Sequence, residues 1–252
     1  MDQNYADPTC VPASVSVVGA GRLGTAIAAA LTAAGIDVHG PVGRGEAVPR
    51  ADAVLLCVPD SEIASAAADA ADAAPLIGHT SGATAISGLG PGGFGLHPLQ
   101  TFAGGEGPER FRGSGCAVAG VTADALGAAA ALARALGMRP LEIEDGGRAA
   151  YHAAASIASN FLVTLEAAAE RVATGSGLEA DEARALLAPL VRATVENWAA
   201  HGPESALTGP IARGDEATVE RQRAAVAEAA PELLPLFDEL TERTRALAAV
   251  TA

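Results

Sequence analysis

Between Ala149 and Leu165 the chain runs for seventeen positions without a charged residue, yet His152, Ser156, Asn160 and Thr164 recur there at intervals of four. On a helix that spacing puts all four on one slowly winding stripe. A helix without charges is expected to be buried nearly all round, and buried polar groups need partners. A stripe facing a wet pocket meets that need simply; hydrogen bonding between helices in an alanine-rich core or at a dimer interface is the other reading. A second candidate is His97 in Gly95-Leu96-His97-Pro98-Leu99, at the end of an apolar strand pattern. Histidine titrates near neutrality and can exchange a proton with a carbonyl or alcohol oxygen, and a satisfied structural histidine is the alternative. Ser81 follows the preceding strand and is expected to point into the same crevice. His39, His79 and His201 have no comparable setting and read as structural.

The basic residues narrow the chemistry. All 16 are arginine. The absence of lysine excludes a Schiff base, a P-loop lysine, a Tyr-x-x-x-Lys dehydrogenase and any lysine proton donor. Cys10, Cys57 and Cys116 are too widely spaced for a disulfide framework or a metal site.

These side chains need a scaffold, and its clearest signature lies near the N-terminus. Val15-Ser16-Val17-Val18 leads into Gly19-Ala20-Gly21-Arg22-Leu23-Gly24 and then into the helix-forming Thr25-Ala26-Ile27-Ala28. A Gly-x-Gly-x-x-Gly that leaves a strand and opens a helix is the dinucleotide-binding fingerprint. Gly19 turns the chain, Gly21 lets a pyrophosphate approach, and Gly24 lets the helix pack close to the sheet, while free N–H groups at the helix N-terminus meet the anion. A second strand is expected at residues 36–39, where an NAD-binding fold places an acid for the ribose 2′-hydroxyl. Position 39 is histidine, and the next loop, Gly40-Pro41-Val42-Gly43-Arg44-Gly45, offers an arginine. That arrangement favours NADP, with Arg44 on the 2′-phosphate; Asp37, the one acid nearby that argues for NAD, lies early in the strand.

The uninterrupted apolar run Ala53–Val58 predicts a parallel strand covered on both faces. Pro59-Asp60 breaks it, and Asp60 or Ser61 can cap a helix over 62–74. Val58 and Pro59 at the end of this strand, like Ser81, are candidate cofactor contacts. Further strands are expected at 75–79, 93–96, 116–119 and 140–143, with a helix at 123–136 between the last two. Strand and helix alternate to about Gly146. Beyond it only helix patterns follow, at 148–174, 179–201, 215–229 and 232–249. The expected architecture is α/β: an N-terminal Rossmann-type, mostly parallel doubly wound sheet over residues 1–146, and an all-helical domain over 147–252 for substrate binding and dimerisation.

Composition bounds the partners. Half of the residues are hydrophobic but only 3% are aromatic, so closely packed alanine-rich helices are expected. A net charge of −14 argues against nucleic acid and anionic membranes. Residues up to about Ser14 read as a loose leader limited by Pro8 and Pro12, without the basic and apolar regions of a signal peptide. With no run of membrane-spanning length, a cytoplasmic protein is expected.

The chain resembles bacterial proteins that join a Rossmann-like domain to a helical domain of unknown function, within the 6-phosphogluconate dehydrogenase-like superfamily. The resemblance covers about residues 13–250. It rests on Val18–Gly24, Cys57-Val58-Pro59-Asp60, Gly95–Leu99, Tyr151-His152-Ala153-Ala154-Ala155-Ser156 and Leu207-Thr208-Gly209-Pro210-Ile211-Ala212-Arg213-Gly214-Asp215. Such proteins are mostly described as NADP oxidoreductases, and some resemble an alternative ketopantoate reductase. Ketopantoate reductases carry Lys-x-x-x-Asn-x-x-x-Asn on the first helix of their second domain. His152, Ser156 and Asn160 occupy the matching positions, so His152 stands where the lysine acid would be. Gly95–Pro98 is similar to the prephenate dehydrogenase segment whose histidine engages the substrate hydroxyl.

The resemblance implies an NADPH-dependent reductase of a small carbonyl substrate, a 2-oxo acid of ketopantoate type. His97 or His152 would protonate the oxygen, Ser156 and Asn160 would hold it, and Arg213 or Arg148 would bind the carboxylate. It also implies a homodimer through the helical domain. A prephenate-type dehydrogenase, an imine reductase and a non-catalytic NADP(H)-binding sensor are the alternatives.

Overall fold

A computed structural model describes residues 11–250; most of the expected leader, with Pro8 and Cys10, lies outside them. A seven-stranded sheet runs in the order β2-β1-β3-β4-β5-β6-β7, with β1 (Ser14–Val18), β2 (Asp37–Val42), β3 (Ala53–Leu56), β4 (Leu76–His79), β5 (Gly93–Pro98), β6 (Gly115–Gly120) and β7 (Arg139–Glu142). All neighbours are parallel except β5 and β6. The expected mostly parallel, doubly wound sheet is therefore present, with one antiparallel pair toward one edge.

Helices α1 (Arg22–Ala33), α2 (Ile63–Asp69) and α3 (Ala123–Ala135) supply the crossovers. Every residue of β3 is buried, because apolar clusters cover the sheet on both sides: α1 and α3 pack on one, α2 on the other. The alanines explain how closely these layers approach. Six of the seven buried residues of α3 are alanine. A Cβ at Gly120 would lie 2.1 Å from the Leu126 nitrogen, so that glycine lets the helix start against the strand end.

Helix α2 is shorter than expected, because residues 60–62 form a 3-10 turn and the α-helix stops at Asp69. Asp60 is not its cap. The carboxylate accepts instead from the hydroxyls of Ser81 at 2.8 Å and Thr84 at 3.0 Å, so a tertiary partner has won over a local one.

The chain divides into two compact units, one ending at Ser159 and the other beginning at Asn160. The first helix after the sheet, α4 (Arg148–Ser156), belongs to the first unit, and a π-helical turn, Ile157–Phe161, carries it into α5 (Leu162–Thr174). The second unit also holds α6 (Ala180–Ala206), α7 (Glu216–Ala229) and α8 (Leu234–Ala248). Gly202, at φ 79°, breaks α6. Asp215 caps α7 by accepting from the Thr218 N–H at 3.1 Å. Arg223 and Asp238 join α7 to α8 through two hydrogen bonds of 2.8 and 2.9 Å.

The uncharged stretch departs from expectation. Most of residues 149–165 are exposed, including Phe161 at 61% and Val163 at 69%. Absence of charge marked a surface that this chain leaves uncovered rather than one inside its own core. No helix among the described residues is long and apolar enough to cross a membrane.

Candidate active site

The glycine loop behaves as its three positions require. Gly19 has φ 106°, and a Cβ there would sit 2.3 Å from the Cys57 carbonyl oxygen; at Gly24 it would sit 1.8 Å from the Gly19 oxygen. Both glycines are demanded by backbone packing. Around Gly21 there is no atom within 4 Å of the position a Cβ would take, so that face is open. Helix α1 has no acid in its first turn and no side-chain cap. Its first N–H groups are unsatisfied donors, and the helix dipole favours an anion there. The loop lines a cleft of about 450 Å³ that continues past Val42–Glu46, Cys57, Val58 and Pro59. A diphosphate fits this chemistry: donors without acceptors, beside a backbone with no side chain in the way.

At one end of the cleft lies Arg44, 83% exposed and ion-paired to Glu62. Glu46 accepts the Gly43 N–H. Asp37 pairs in register with Ser14 at the start of β1, at the opposite end of that strand from Gly19. It is out of reach of the cleft.

A second group of residues forms where β4 and β5 end. His97, on β5, meets two aromatic neighbours from α4: the Tyr151 hydroxyl is 2.8 Å from His97 Nδ1, and the His97 and His152 ring centroids are 6.0 Å apart. Gly82 makes room for both histidines, since a Cβ there would come within 2.7 Å of His152 Cδ2 and 2.9 Å of His97 Cε1. Burial, then the neighbouring His152 and Arg148, push the His97 pKa down to about 4. That lowering favours the uncharged imidazole at neutral pH, with one ring nitrogen a donor and the other an acceptor. Burial also raises the Tyr151 hydroxyl to about 12.

Arg148 lies beneath this group and is only 2% exposed. Its Nε donates to Asp145 Oδ1 at 3.0 Å and its Nη1 to the Ser81 carbonyl at 3.2 Å. Nη2 is buried without a partner, against Gly95, where a Cβ would lie 2.3 Å away. Asp145 also accepts the N–H groups of Ile86 and Ser87 at 3.0 and 3.3 Å. Although burial opposes ionisation, those two N–H groups and the arginine hold its carboxyl below the usual range. Together Arg148 and Asp145 fasten the start of α4 to the β4–β5 connection. His79, fully buried, accepts the Ser81 N–H on Nδ1 and leaves Nε2 without a partner. Burial and then Arg148 lower its pKa.

Of the residues singled out by the sequence, His97, His152, Ser81 and Arg148 come together around Gly82, and the glycine loop, Arg44, Val58 and Pro59 share the cleft. The Ser81 hydroxyl is occupied internally: it donates to Asp60 and accepts the N–H groups of Ala83 and Thr84. Ser156 is half-buried on α4. The π-turn changes the helical phase after it, so the stripe of four does not continue on one α-helical face. Asn160 and Arg213 are exposed and belong to the second unit. Thr164 donates to the Asn160 carbonyl. Sequence reasoning missed Tyr151, Asp60 and Asp145. Tyr151 was findable, since it adjoins His152 and lies one helical turn from Arg148.

A family model described as a domain of unknown function (DUF2520) matches residues 114–244, just over half of the chain. No curated protein sequence matches. Among solved structures, a candidate NADP oxidoreductase from Bacteroides fragilis superposes with a TM-score of 0.76 at 21% identity, covering 92% of this chain and 97% of that one. Protein TM1727 from Thermotoga maritima gives 0.75 at 24% identity, covering 94% and 99%. A reductive aminase from Aspergillus terreus, in complex with NADPH and ethyl-5-oxohexanoate, gives 0.63 at 16% identity, covering 95% and 99%. These likenesses extend the Rossmann-like fold with its helical second part over nearly the whole chain.

Proposed function

The chain belongs to the DUF2520 family, and within that family we propose that it is an NADP(H)-dependent reductase of a small carbonyl compound, with a 2-oxo acid of ketopantoate type as the substrate class. One observation carries the reading: an uncapped helix N-terminus opens beside the bare face of Gly21, in a sheet that carries His97 near the carboxyl end of β5, three strands along from β1. In an open α/β sheet, ligands sit beyond the carboxyl ends of the strands. The Bacteroides and Aspergillus proteins named above support a nicotinamide cofactor bearing the 2′-phosphate.

When bound, that cofactor supplies a hydride. The chain's own residues divide the remaining work. Gly19 to Gly24 receive the diphosphate, Val58 and Pro59 wall the cleft, and Arg44 takes the 2′-phosphate once it leaves Glu62. His97 and His152 face the substrate oxygen. Arg148, enclosed and tied to Asp145, orients this group. Ser156, Asn160 and Arg213 enter through the family resemblance as substrate contacts. Imine reduction is the second reading, favoured by the absence of lysine and by the likeness to the reductive aminase.

Fluorescence titration with NADPH and NADH, followed by a panel of 2-oxo acids and cyclic imines, tests the proposal. Saturable NADPH binding with turnover of a 2-oxo acid is expected, and turnover of imines alone selects the second reading. Tight NADPH binding without turnover of either class makes the protein a sensor and defeats both enzymatic readings. Pairing of two copies through the helical unit is part of the same proposal, supported by the exposed Phe161, Val163, Leu186, Leu190 and Trp198; sedimentation equilibrium giving only monomer would refute it.

A further inference from the structure

We infer that Tyr151 is a positioning residue for His97: its hydroxyl donates to Nδ1, holds the ring in the Nε2–H tautomer, and so turns that N–H toward the crevice as a donor for a substrate oxygen. The inference rests on the reductase reading only for the identity of the oxygen.

Three observations carry it. The Tyr151 hydroxyl lies 2.8 Å from Nδ1, with the two rings perpendicular at 89° and their centroids 5.5 Å apart. The place of the one unshared proton then favours one direction. Tyr151 has one O–H and no other hydrogen-bond partner for it among the described residues. If Nδ1–H donated, that O–H would be left over in a half-buried place beside the Arg148 cation; if the tyrosine donates, the proton without a protein partner is the one on Nε2, where solvent can take it. The third observation concerns where Nε2 lies. It is not among the buried side-chain atoms without a partner, and it makes no hydrogen bond within the described chain, so it opens to solvent. Gly82 keeps that edge clear, since a Cβ there would stand 3.0 Å from Nε2.

The surroundings preserve the arrangement. Arg148 and His152 on α4 and His79 on β4 act against an imidazolium, and Asp60 alone acts in its favour. A neutral imidazole is a weak acid and keeps its proton. It lowers the energy of negative charge gathering on an oxygen without being consumed, as a preorganised donor does in other electrostatic sites. This is hydrogen bonding rather than proton transfer, so in the proposed reduction the proton on the product oxygen would come from His152 or from water.

The test reads the tautomer directly and needs neither cofactor nor substrate. In two-bond ¹H–¹⁵N correlation spectra of the full-length protein, with His97→Gln to assign the signal, His97 is expected as the Nε2–H form, unchanged from pH 8 to pH 5. Tyr151→Phe keeps the ring packing and removes only the hydroxyl; it is expected to give a mixture of tautomers, and a roughly ten- to hundred-fold fall in kcat with unchanged cofactor affinity. An Nδ1–H signal in the wild type, a His97 titration centred near pH 6.5, or a tautomer unaffected by Tyr151→Phe overturns the inference. Absence of turnover on every substrate counts against the reductase reading alone, because the spectra stand without it.

Discussion

Replacing Gly21 with alanine adds one methyl group at a point where the protein has nothing to meet it. The residue sits at φ −74° and ψ −176°, extended backbone that alanine adopts freely, and no atom lies within 4 Å of the new Cβ. Folding should therefore tolerate the change: the more restricted unfolded chain favours alanine by about 0.4–1 kcal/mol, the poorer N-cap opposes it by a similar amount, and stability should move by less than about 1 kcal/mol. Binding is another matter. The methyl projects where a diphosphate must approach the N–H groups of α1, and each charge-assisted hydrogen bond of this kind contributes about 1.5–3 kcal/mol. Losing one weakens NADPH roughly ten- to hundred-fold, at about 1.4 kcal/mol per decade. Gly24→Ala is the internal control: its Cβ would lie 1.8 Å from the Gly19 oxygen, so stability should fall by about 1–3 kcal/mol or more. Urea unfolding and fluorescence titration of both variants measure the two effects separately. Gly21→Ala with wild-type NADPH affinity would show that no diphosphate lies on this loop, and the whole cofactor assignment would go with it.

Freeing Arg44 by Glu62→Gln should tighten NADPH a few-fold with little change in stability, because the exposed pair is itself worth about 0–1 kcal/mol; Arg44→Ala should weaken NADPH far more than NADH, and equal losses in parallel titrations would assign the arginine to solvent. Arg148→Met removes the hydrogen bonds to the partly exposed Asp145 carboxylate and to the Ser81 carbonyl and should cost about 1.5–3 kcal/mol in urea unfolding, so a cost below about 0.5 kcal/mol would remove Arg148 as the fastening of α4. Burial lowers the folded pKa of His97 to about 4 against about 6.5 for an unperturbed imidazole, so between those values the unfolded chain binds more protons. Stability should decline as pH falls from about 6.5 toward 4, with His79 acting in the same direction, and His97→Gln should flatten part of that slope in melting curves taken from pH 7 to pH 4.5.

The sheet and the cofactor loop were legible because their signals are local and steric. Gly19 and Gly24 are forced by carbonyl oxygens within 2.3 Å and 1.8 Å of a would-be Cβ, and the apolar run of β3 announces a strand covered on both sides. Strand direction is not written that way, so the antiparallel pairing of β5 with β6 came only from the fold. Asp60 was misread as a cap because Ser81 and Thr84, more than twenty residues along the chain, compete for its carboxylate. Tyr151 hid in an apolar stretch, where an aromatic reads as packing. Arg148 was singled out as a carboxylate binder, but its burial against Asp145 and the Ser81 carbonyl was not legible, because arginines ordinarily face water. The exposure of residues 149–165 could not be read from their lack of charge, and nothing in Ile157–Phe161 signals a π-turn.

The bare position at Gly95 has a reach beyond its own strand. Any side chain there would evict the Arg148 guanidinium from its seat on β5, and with it would go the grip on the Ser81 carbonyl and the counter-charge to Asp145. The β4–β5 connection and the helix bearing Tyr151 and His152 would lose their common anchor together. A missing methyl on one strand thus governs whether residues fifty positions further along the chain stand in line with His97, and drift at this codon would be felt first as lost alignment rather than as a lost functional group.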